Sequence, residues 1–327
     1  MLKNYLSVCL SSLCLSIILG IITIPLLRKL KAGQTVLKYV ETHKDKNGTP
    51  TMGGLFFIVS AIIIYYISGG NGGIANVCIV IGSAFMAVGF LDDFIKIRFK
   101  QNEGLKAYQK IIFQSSIAII AGVFAFRNGI SVFYLPFCKK SLDLGVFTIP
   151  IVSCIFIAIT NSVNLTDGLD GLAGSVSAVY LVFISILIVV QTASFEFMYL
   201  KIEEYNDVIR LCACLIGGLL GFLVFNVNKA KVFMGDTGSL SLGGFLGAIS
   251  IFSSNSFFIP VLGIMFVLSS ISVIVQVLHF KRTKKRIFLM APLHHHFQLE
   301  GYTEAQISFY YSLITAIMGA ILIIFYV

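Results

Sequence analysis

Charged residues are scarce in this chain. Only 12% of its 327 residues are Asp, Glu, Lys or Arg, whereas 57% are hydrophobic, and the mean hydropathy is +0.93. A soluble domain of this length has too little core to bury so much apolar surface, so the composition excludes an ordinary soluble protein. Lipid must surround most of the chain instead.

Cysteine motifs are also missing. No two of the seven cysteines have Cys-x-x-Cys spacing, and most lie within apolar runs. We interpret them as small hydrophobic residues, because this pattern implies neither a disulfide framework nor a zinc ribbon. The first apolar run is too long for a signal peptide and is followed by many more, so it is predicted to remain as the first span.

Apolar runs long enough to cross a membrane recur along the whole chain, with no linker, low-complexity tract or internal repeat between them. They predict an all-α integral membrane protein that forms a single polytopic domain over residues 1–327, with about ten transmembrane helices. The candidate spans are 4–27, 52–68, 74–91, 109–126, 146–161, 172–191, 208–226, 238–253, 257–280 and 306–326.

The basic residues indicate how these spans are oriented. When the connections are taken alternately, one set holds 18 of the 24 Lys and Arg residues. Cytoplasmic loops carry such an excess, so this set is predicted to be cytoplasmic and both termini extracytoplasmic. The net charge of +9 is then explained by membrane topology and does not indicate a nucleic-acid partner.

Acidic residues gather on the same predicted face. A carboxylate at the membrane edge is costly unless it is paired or bound to a cation, so five of them indicate a functional site. These five are Asp92, Asp93, Asp167, Asp170 and Asp236. In "FLDDFIK", consecutive helical residues point about 100° apart, so Asp92 and Asp93 should both face one ligand only if the helix ends there. The alternative is a solvated helix end.

Asn, Asp and Gly are dense in "NSVNLTDGLDGLAGS". Its Asn164, Asp167 and Asp170 follow at three-residue intervals and would share one face of a helix. Gly168 and Gly171 weaken that helix, so a break or a helix end is expected there. Ordinary turn chemistry is the alternative interpretation.

Two Gly-rich stretches could bind phosphate. "NVNKAKVFMGDTGSLSLGG" lacks the Gly-Lys-Ser/Thr ending of a P-loop, but its helix start favours anions and its Asp236 could hold the magnesium that an anion carries. "HKDKNGTPTMGG" offers a lysine for a phosphate and two hydroxyl donors. It is otherwise an ordinary positive-inside anchor. Its polar candidates are Lys44, Lys46, Thr49 and Thr51.

Three of the five histidines are consecutive in "APLHHHFQ". Contiguous residues of a helix do not converge on one zinc ion, and the nearby carboxylates suit magnesium better. An imidazole can instead donate a hydrogen bond to a phosphate oxygen. We also expect at least one of the three to pack structurally.

Five motifs, "GTPTMGG", "FLDDFIK", "NLTDGLDGLA", "VFMGDTGS" and "APLHHHF", occur in the order and spacing of the phospho-N-acetylmuramoyl-pentapeptide transferases. The chain resembles this family (the MraY family, or translocase I), a branch of the polyprenyl-phosphate N-acetylhexosamine-1-phosphate transferases. "TPTMGG" and the three histidines are typical of this branch. Gln298 departs from its pattern, which usually has Glu after "HHHF".

The resemblance implies transfer of phospho-N-acetylmuramoyl-pentapeptide from its UDP donor (UDP-MurNAc-pentapeptide) to undecaprenyl phosphate, giving lipid I and UMP with Mg²⁺. It implies a bacterial cytoplasmic (inner) membrane, with the lipid bilayer as a partner and a homodimer as a further candidate assembly. The implied catalytic residues are Asp92, Asp93, Asp236 and His295, with Asp236 as the metal ligand. The implied substrate-binding residues are Lys46, Thr51, Lys96, Asn164, Asp167, Asp170, Asn226, Phe233, Gln276 and His294.

Two mechanisms and two rival functions stay open. The lipid phosphate could attack the donor directly, or Asp92 or Asp93 could form a covalent phospho-enzyme first. A phosphate monoester is mostly a dianion at neutral pH and scarcely needs a base, which favours the single step. A related enzyme would transfer N-acetylglucosamine-1-phosphate, and an ion-coupled transporter would place its acids near mid-membrane and show repeat symmetry.

Overall fold

The computed structural model describes residues 2–30, 48–99, 104–193, 202–227 and 229–326. Across these ranges the chain is almost entirely helical. The helices are α1 (Leu2–Lys29), α2 (Gly54–Ile67), α3 (Gly73–Phe99), α4 (Ala107–Arg127), α5 (Thr148–Thr166), α6 (Leu172–Ala193), α7 (Ile202–Asn226), α8 (Gly235–Phe252), α9 (Ile259–Leu262), α10 (Ile264–Thr283), α11 (Leu293–Leu299) and α12 (Glu304–Tyr326).

Eight of the described helices are long and apolar enough to cross a membrane, namely α1, α3, α4, α5, α6, α7, α10 and α12. Their outward faces carry many exposed large apolar side chains, which only a lipid environment accommodates at this density. An integral membrane protein was expected from composition, and these helices confirm it. The total of about ten spans stays a prediction, because α2 has only 14 residues and α8 is enclosed by its neighbours.

Helix α8 is the centre of the bundle and packs against α2, α3 and α5. All of its residues except Asp236 are buried. Its sequence, "GDTGSLSLGGFLGAISIF", is rich in Gly and Ser, and such small residues let membrane helices approach closely. Ser241 Oγ donates to the carbonyl of Gly82 on α3 (2.8 Å), and a Cβ at Gly89 would overlap the Asp236 carbonyl.

Three features differ from the sequence predictions. The predicted third span stops at residue 91, whereas α3 continues through Asp92 and Asp93 to Phe99. The predicted span 257–280 is divided, because a 3₁₀ turn and α9 come before Gly263, and α10 begins after it at Ile264. A short antiparallel hairpin of β1 (Val132–Tyr134) and β2 (Ser141–Asp143) joins α4 to α5 and was not predicted.

The helices alternate in direction, so each end of the bundle collects a distinct set of termini. At one end Tyr5 near the start of α1 contacts Asn206 near the start of α7, and Tyr326 at the end of α12 reaches the Leu135 carbonyl. At the other end α3, α5, α7 and α10 finish while α2, α4, α8 and α12 begin. The predicted functional residues lie at this second end.

Candidate active site

Three carboxylates converge where the end of α3 meets the start of α8. One oxygen from each of Asp92, Asp93 and Asp236 lies within 4.8 Å of the others. Asp92 and Asp93 are buried although α3 runs on past them. The expectation that both could face one ligand only at a helix end was therefore wrong. They flank the side of α3 that faces α8, so each reaches the same point from its own side.

Two lysines partly offset the negative charge of this cluster. Lys96 Nζ lies 2.6 Å from Asp92 Oδ2, 3.8 Å from Asp93 Oδ1 and 3.2 Å from Asp236 Oδ2. Lys110, from the first turn of α4, places its Nζ 2.7 Å from Asp236 Oδ2. The resemblance assigned Lys96 to substrate binding, and the structure brings it among the acids. Lys110 was assigned no role from the sequence.

Neighbouring groups fix the orientation of each carboxylate. Asp92 Oδ1 accepts the Leu105 N–H (2.9 Å), and Asp93 Oδ2 accepts both the N–H and the hydroxyl of Thr237 (2.9 and 2.7 Å). Asp236 Oδ1 accepts Asn164 Nδ2 (2.7 Å). Asp93 Oδ1 has no hydrogen-bond partner among the described residues. That buried oxygen is available to a cation.

The residues present fit a divalent cation. Carboxylate oxygens are hard ligands of the kind that Mg²⁺ binds, and the unpartnered Asp93 Oδ1 adjoins the point on which all three acids converge. An ammonium, that of Lys96, already contacts all three carboxylates at this point. The candidate metal ligands are thus Asp92 and Asp93 in addition to Asp236, which the resemblance implied.

The backbone around Gly235 keeps the segment of residues 50–53 close to the acids. Gly235 has a φ of +72°, which favours glycine, and a Cβ there would overlap Thr51 Oγ1 and Asp93 Oδ2. Phe233 N–H donates to the Pro50 carbonyl (2.8 Å), and the Phe233 carbonyl accepts the Gly53 N–H (2.9 Å). Thr51 therefore lies beside Asp93. Lys46, also assigned to substrate binding, falls outside the described residues.

The turn between α5 and α6 separates the polar residues that a continuous helix would have aligned. Helix α5 ends at Thr166, so Asn164 faces Asp236 while Asp170 Oδ2 accepts the Ala230 N–H (2.8 Å). Asn226 bridges the same region, since its Oδ1 accepts the Gly171 N–H and its Nδ2 donates to the Val232 carbonyl. Asp170 and Asn226 thereby hold the segment that leads to Phe233.

Asp167 lies directly after α5. Burial raises the pKa of its carboxyl well above the usual range, and the negative charges of Asp236, Asp93 and Asp170 raise it further. No hydrogen bond joins its carboxylate to another described residue. A carboxyl in this environment is easily protonated and can donate a hydrogen bond.

The three consecutive histidines have three different environments. His294 is buried against Gly168 of the α5–α6 turn, and burial lowers its pKa to about 3, with a further lowering by His295. His295 Nδ1 is 3.1 Å from Gln298 Oε1. His296 accepts the Leu289 N–H and pairs with Glu300. The expectation that at least one of them packs structurally is met by His294.

Gln276 is engaged with the main chain. Its Oε1 accepts the N–H groups of Ile287 and Phe288 (3.0 and 3.1 Å), and its Nε2 donates to the Phe288 carbonyl (2.9 Å). The resemblance assigned Gln276 to substrate binding. In the structure its amide shapes the loop between α10 and α11, which carries the histidines.

Sequence reasoning assigned no role to four residues that contact the site. Thr237 orients Asp93, Ser239 Oγ accepts Asn164 Nδ2 (2.8 Å), Lys110 binds Asp236, and Glu304 Oε2 accepts the Asp170 N–H (2.8 Å). A usable signal existed only for Lys110, a basic residue at the start of a span on the acidic face. The other three are common residue types whose roles depend on tertiary contacts.

Acids and lysines gathered at one end of a polytopic helical bundle are suited to a membrane-embedded enzyme that acts on phosphate groups. In agreement, the Glycosyl transferase family 4 profile matches residues 74–254, and signature 1 of phospho-N-acetylmuramoyl-pentapeptide-transferase matches residues 46–58. The chain belongs to the family of phospho-N-acetylmuramoyl-pentapeptide transferases.

Relatives of that name cover nearly the whole chain. The transferase of Clostridioides difficile (strain 630) is 42% identical over 94% of this chain and 93% of its own length. That of Clostridium novyi (strain NT) is 43% identical over 93% and 91% of the two lengths. That of Caldanaerobacter subterraneus subsp. tengcongensis is 40% identical over 100% and 99%.

Proposed function

We propose that this chain transfers phospho-N-acetylmuramoyl-pentapeptide from UDP-MurNAc-pentapeptide to undecaprenyl phosphate, which gives lipid I and UMP and contributes to cell-wall synthesis. The observation that carries the proposal is the cluster of Asp92, Asp93 and Asp236 with Lys96 and Lys110, at one end of the membrane helices of a family member. Two phosphorylated substrates repel each other, and a site that joins them must supply positive charge.

Asp236, Asp93 and Asp92 would hold Mg²⁺, with the unpartnered Asp93 Oδ1 among the ligand atoms. When bound, the ion neutralises charge on the donor pyrophosphate and on the departing phosphate. Thr237 and Asn164 orient two of these carboxylates without carrying charge themselves. These uncharged neighbours help to fix the geometry of the ligand atoms.

Lys96 and Lys110 supply further positive charge to the phosphates. Both ammonium groups lie within 3.2 Å of Asp236 Oδ2, beside the point where the pyrophosphate would meet the acids. Thr51, Asn164 and Asp167 surround the sugar-phosphate in this proposal. Phe233, only partly buried, would stack on uracil, and Lys46 would bind a phosphate.

His295 is the histidine best placed to contact the substrate. Its Nδ1 lies 3.1 Å from Gln298 Oε1 and its side chain is only partly buried, so the imidazole could reach a phosphate oxygen. His294 supports the turn beneath the site from its buried position, and Gln276 shapes the loop that carries both rings. Asp170 and Asn226 hold the segment before Phe233.

The reaction would proceed in one step. An oxygen of undecaprenyl phosphate forms a bond to the β-phosphorus of the donor, and the bond from that phosphorus to the bridging oxygen breaks. UMP leaves with the bridging oxygen. The acceptor is already mostly a dianion at neutral pH, so neither Asp92 nor Asp93 needs to remove a proton from it. A phosphorylated aspartate trapped after mixing with donor alone would contradict this route.

The site would face the cytoplasm of a multi-pass protein in the bacterial inner membrane. A water-soluble nucleotide donor reaches that face, and the lipid acceptor arrives along the bilayer. Most of the described basic residues, including Lys96, Lys110 and the run from Lys281 to Arg286, belong to this end. Assembly as a homodimer stays a prediction.

The direct test is magnesium-dependent transfer of label from radiolabelled UDP-MurNAc-pentapeptide into a lipid fraction that contains undecaprenyl phosphate. We expect labelled lipid with Mg²⁺ and none with excess chelator. Parallel reactions with UDP-N-acetylglucosamine should give no labelled lipid. Transfer from that sugar alone would instead support the related N-acetylglucosamine-1-phosphate transferase.

A further inference from the structure

We propose that Gln114 and Asn161 form a positioning pair that aims Lys110 and Asn164 at the two oxygens of Asp236. Neither amide touches the carboxylate cluster, so the pair would act through the residues one helical turn away. The inference rests on the proposed transferase function and adds two residues to its machinery.

Helices α4 and α5 hold Asp236 from two sides. Lys110, in the first turn of α4, contacts Asp236 Oδ2 (2.7 Å), and Asn164, in the last turn of α5, contacts Asp236 Oδ1 (2.7 Å). Lys110 has a long side chain and Asn164 a short one, but each must reach Asp236 from its own helix. Their direction therefore depends on how α4 and α5 are rotated and spaced relative to each other.

Gln114 and Asn161 connect these two helices directly below the site. Gln114 follows Lys110 by four residues, and Asn161 precedes Asn164 by three, so each amide lies one turn deeper on the same side of its helix. Asn161 Nδ2 donates to Gln114 Oε1 (2.8 Å) and also to the Ile157 carbonyl (2.8 Å). The hydrogen bond fixes the register of α4 against α5 at the level nearest Asp236.

A purely structural role would be served better by apolar side chains. Gln114 is completely buried, and its Nε2 has no partner among the described residues. A buried donor without a partner lowers stability, whereas Leu or Met would fill the same space without that penalty. The amide pair therefore orients Lys110 and Asn164 rather than stabilising the fold. Direction matters at a site where small displacements of charged groups change the rate.

The chain contains a second amide pair that serves as a matched control. Gln191 Nε2 donates to Asn255 Oδ1 (2.8 Å) and Asn255 Nδ2 donates to Gln191 Oε1 (2.9 Å), and both residues are buried. Asn255 follows the end of α8, whereas Asp236 lies at its start, so the 18 residues of α8 separate the two by about 27 Å.

The experiment compares Gln114→Leu, Asn161→Leu and Gln191→Leu in the purified full-length chain in detergent. For the two α4–α5 variants we expect kcat to fall about tenfold or more while the donor KM changes less than about threefold. The reason is that the charged groups are kept and only the orientation of Lys110 and Asn164 towards Asp236 is lost. The reciprocal double variant, Gln114→Asn with Asn161→Gln, should recover most of kcat. Gln191→Leu should lower the melting temperature but keep kcat.

A second readout does not depend on turnover. The Mg²⁺ concentration that gives half-maximal thermal stabilisation should rise about threefold or more in Gln114→Leu and stay unchanged in Gln191→Leu. A wild-type chain without transferase activity would contradict the proposed function, and the Mg²⁺ titration would still test the pair.

Three results would overturn the inference. One is a Gln114→Leu enzyme with nearly unchanged kcat and Mg²⁺ midpoint. Another is an equal loss of kcat in Gln191→Leu, since the effect would then follow from any buried amide. The third is failure of both single α4–α5 variants to fold, because a pair that the fold requires is structural.

Discussion

At the scale of single residues, the site consists of carboxylates whose orientations are restricted by hydrogen bonds to neighbouring groups. Asp92 and Asp93 are each bound through one oxygen to backbone or hydroxyl groups, and Asp236 is bound through both. Such fixed carboxylates lose little entropy when a ligand arrives, which is the physical content of preorganisation.

Removing one of these acids should abolish transfer while leaving the bundle intact. We expect Asp236→Ala and Asp93→Asn to lower lipid I formation by about a thousandfold or more, since each loses a carboxylate that faces the reacting phosphates. Turnover is measured with purified protein, and insertion is checked by membrane fractionation. Asp143→Asn, in the exposed hairpin, is the matched control. Turnover near the wild-type rate in Asp236→Ala would refute the site.

His294 gives a prediction about pH. Its folded pKa of about 3 lies below the unfolded value of about 6.5, so the unfolded chain binds the proton more readily between these values. The free energy of unfolding should therefore fall as the pH is lowered from about 6.5 towards 3, by at most about 1.4 kcal/mol per pH unit.

The comparison is with His294→Leu, which lacks this titration but keeps all the carboxylates. Melting temperatures measured in detergent between pH 7 and about 4.5 should fall more steeply for the wild type than for the variant. Parallel curves would show that His294 is protonated in the folded protein as readily as in the unfolded one.

At the scale of helices, the close contact of α3 with α8 brings the acids together. Gly89 lies one turn before Asp92 and directly against the Asp236 carbonyl, so the two helices touch through their backbones there. Any side chain at residue 89 must separate them. The separation would fall at the level of the carboxylate cluster.

Gly89→Ala should consequently reduce turnover about a hundredfold, because displacement of about 1 Å is enough to disrupt a reacting geometry. Alanine is the better helix former by about 1 kcal/mol, so a loss cannot come from helix propensity. Gly73→Ala, at the start of the same helix with open space around its Cα, should keep full activity. If both variants are equally active, the α3–α8 contact does not set the site.

The helices were largely predictable from apolar runs, but their ends at the site were not. The apolar run stops at Asp92, so the sequence could not show that α3 continues to Phe99. Asp92 and Asp93 stay within the helix because they are buried against α8 and paired with Lys96. Gly168 and Gly171 predicted a break between Asn164 and Asp170, and Gly171 with φ +74° lies in it. Thr237, Ser239 and the Gln114–Asn161 bond depend on helix packing, which no local pattern encodes.

At the scale of the whole molecule, the bundle has two chemically different ends. The site end carries the acids, Lys96, Lys110 and five basic residues between Lys281 and Arg286. At the opposite end, described basic residues are few, and one of them, Arg210, is bound to Asp207 (2.6 Å). This asymmetry supports the proposal that the site faces the cytoplasm.

Cysteine labelling in intact cells tests the orientation. In a cysteine-free background, Lys284→Cys should be protected from a membrane-impermeant maleimide, whereas Lys139→Cys in the hairpin segment should be labelled. Both native side chains are exposed, so access depends only on the side of the membrane. Labelling at 284 with protection at 139 would invert the topology.

The two ammonium groups on Asp236 have a consequence for assembly of the protein. Three carboxylates near one point would repel one another during folding, but Lys96 and Lys110 act as built-in counterions, two positive charges against three negative. We therefore expect the bundle to fold without a metal ion, unlike small metal-dependent domains. A newly inserted chain should then fold before it binds a metal ion or a nucleotide. A chelator should abolish activity reversibly without unfolding the protein.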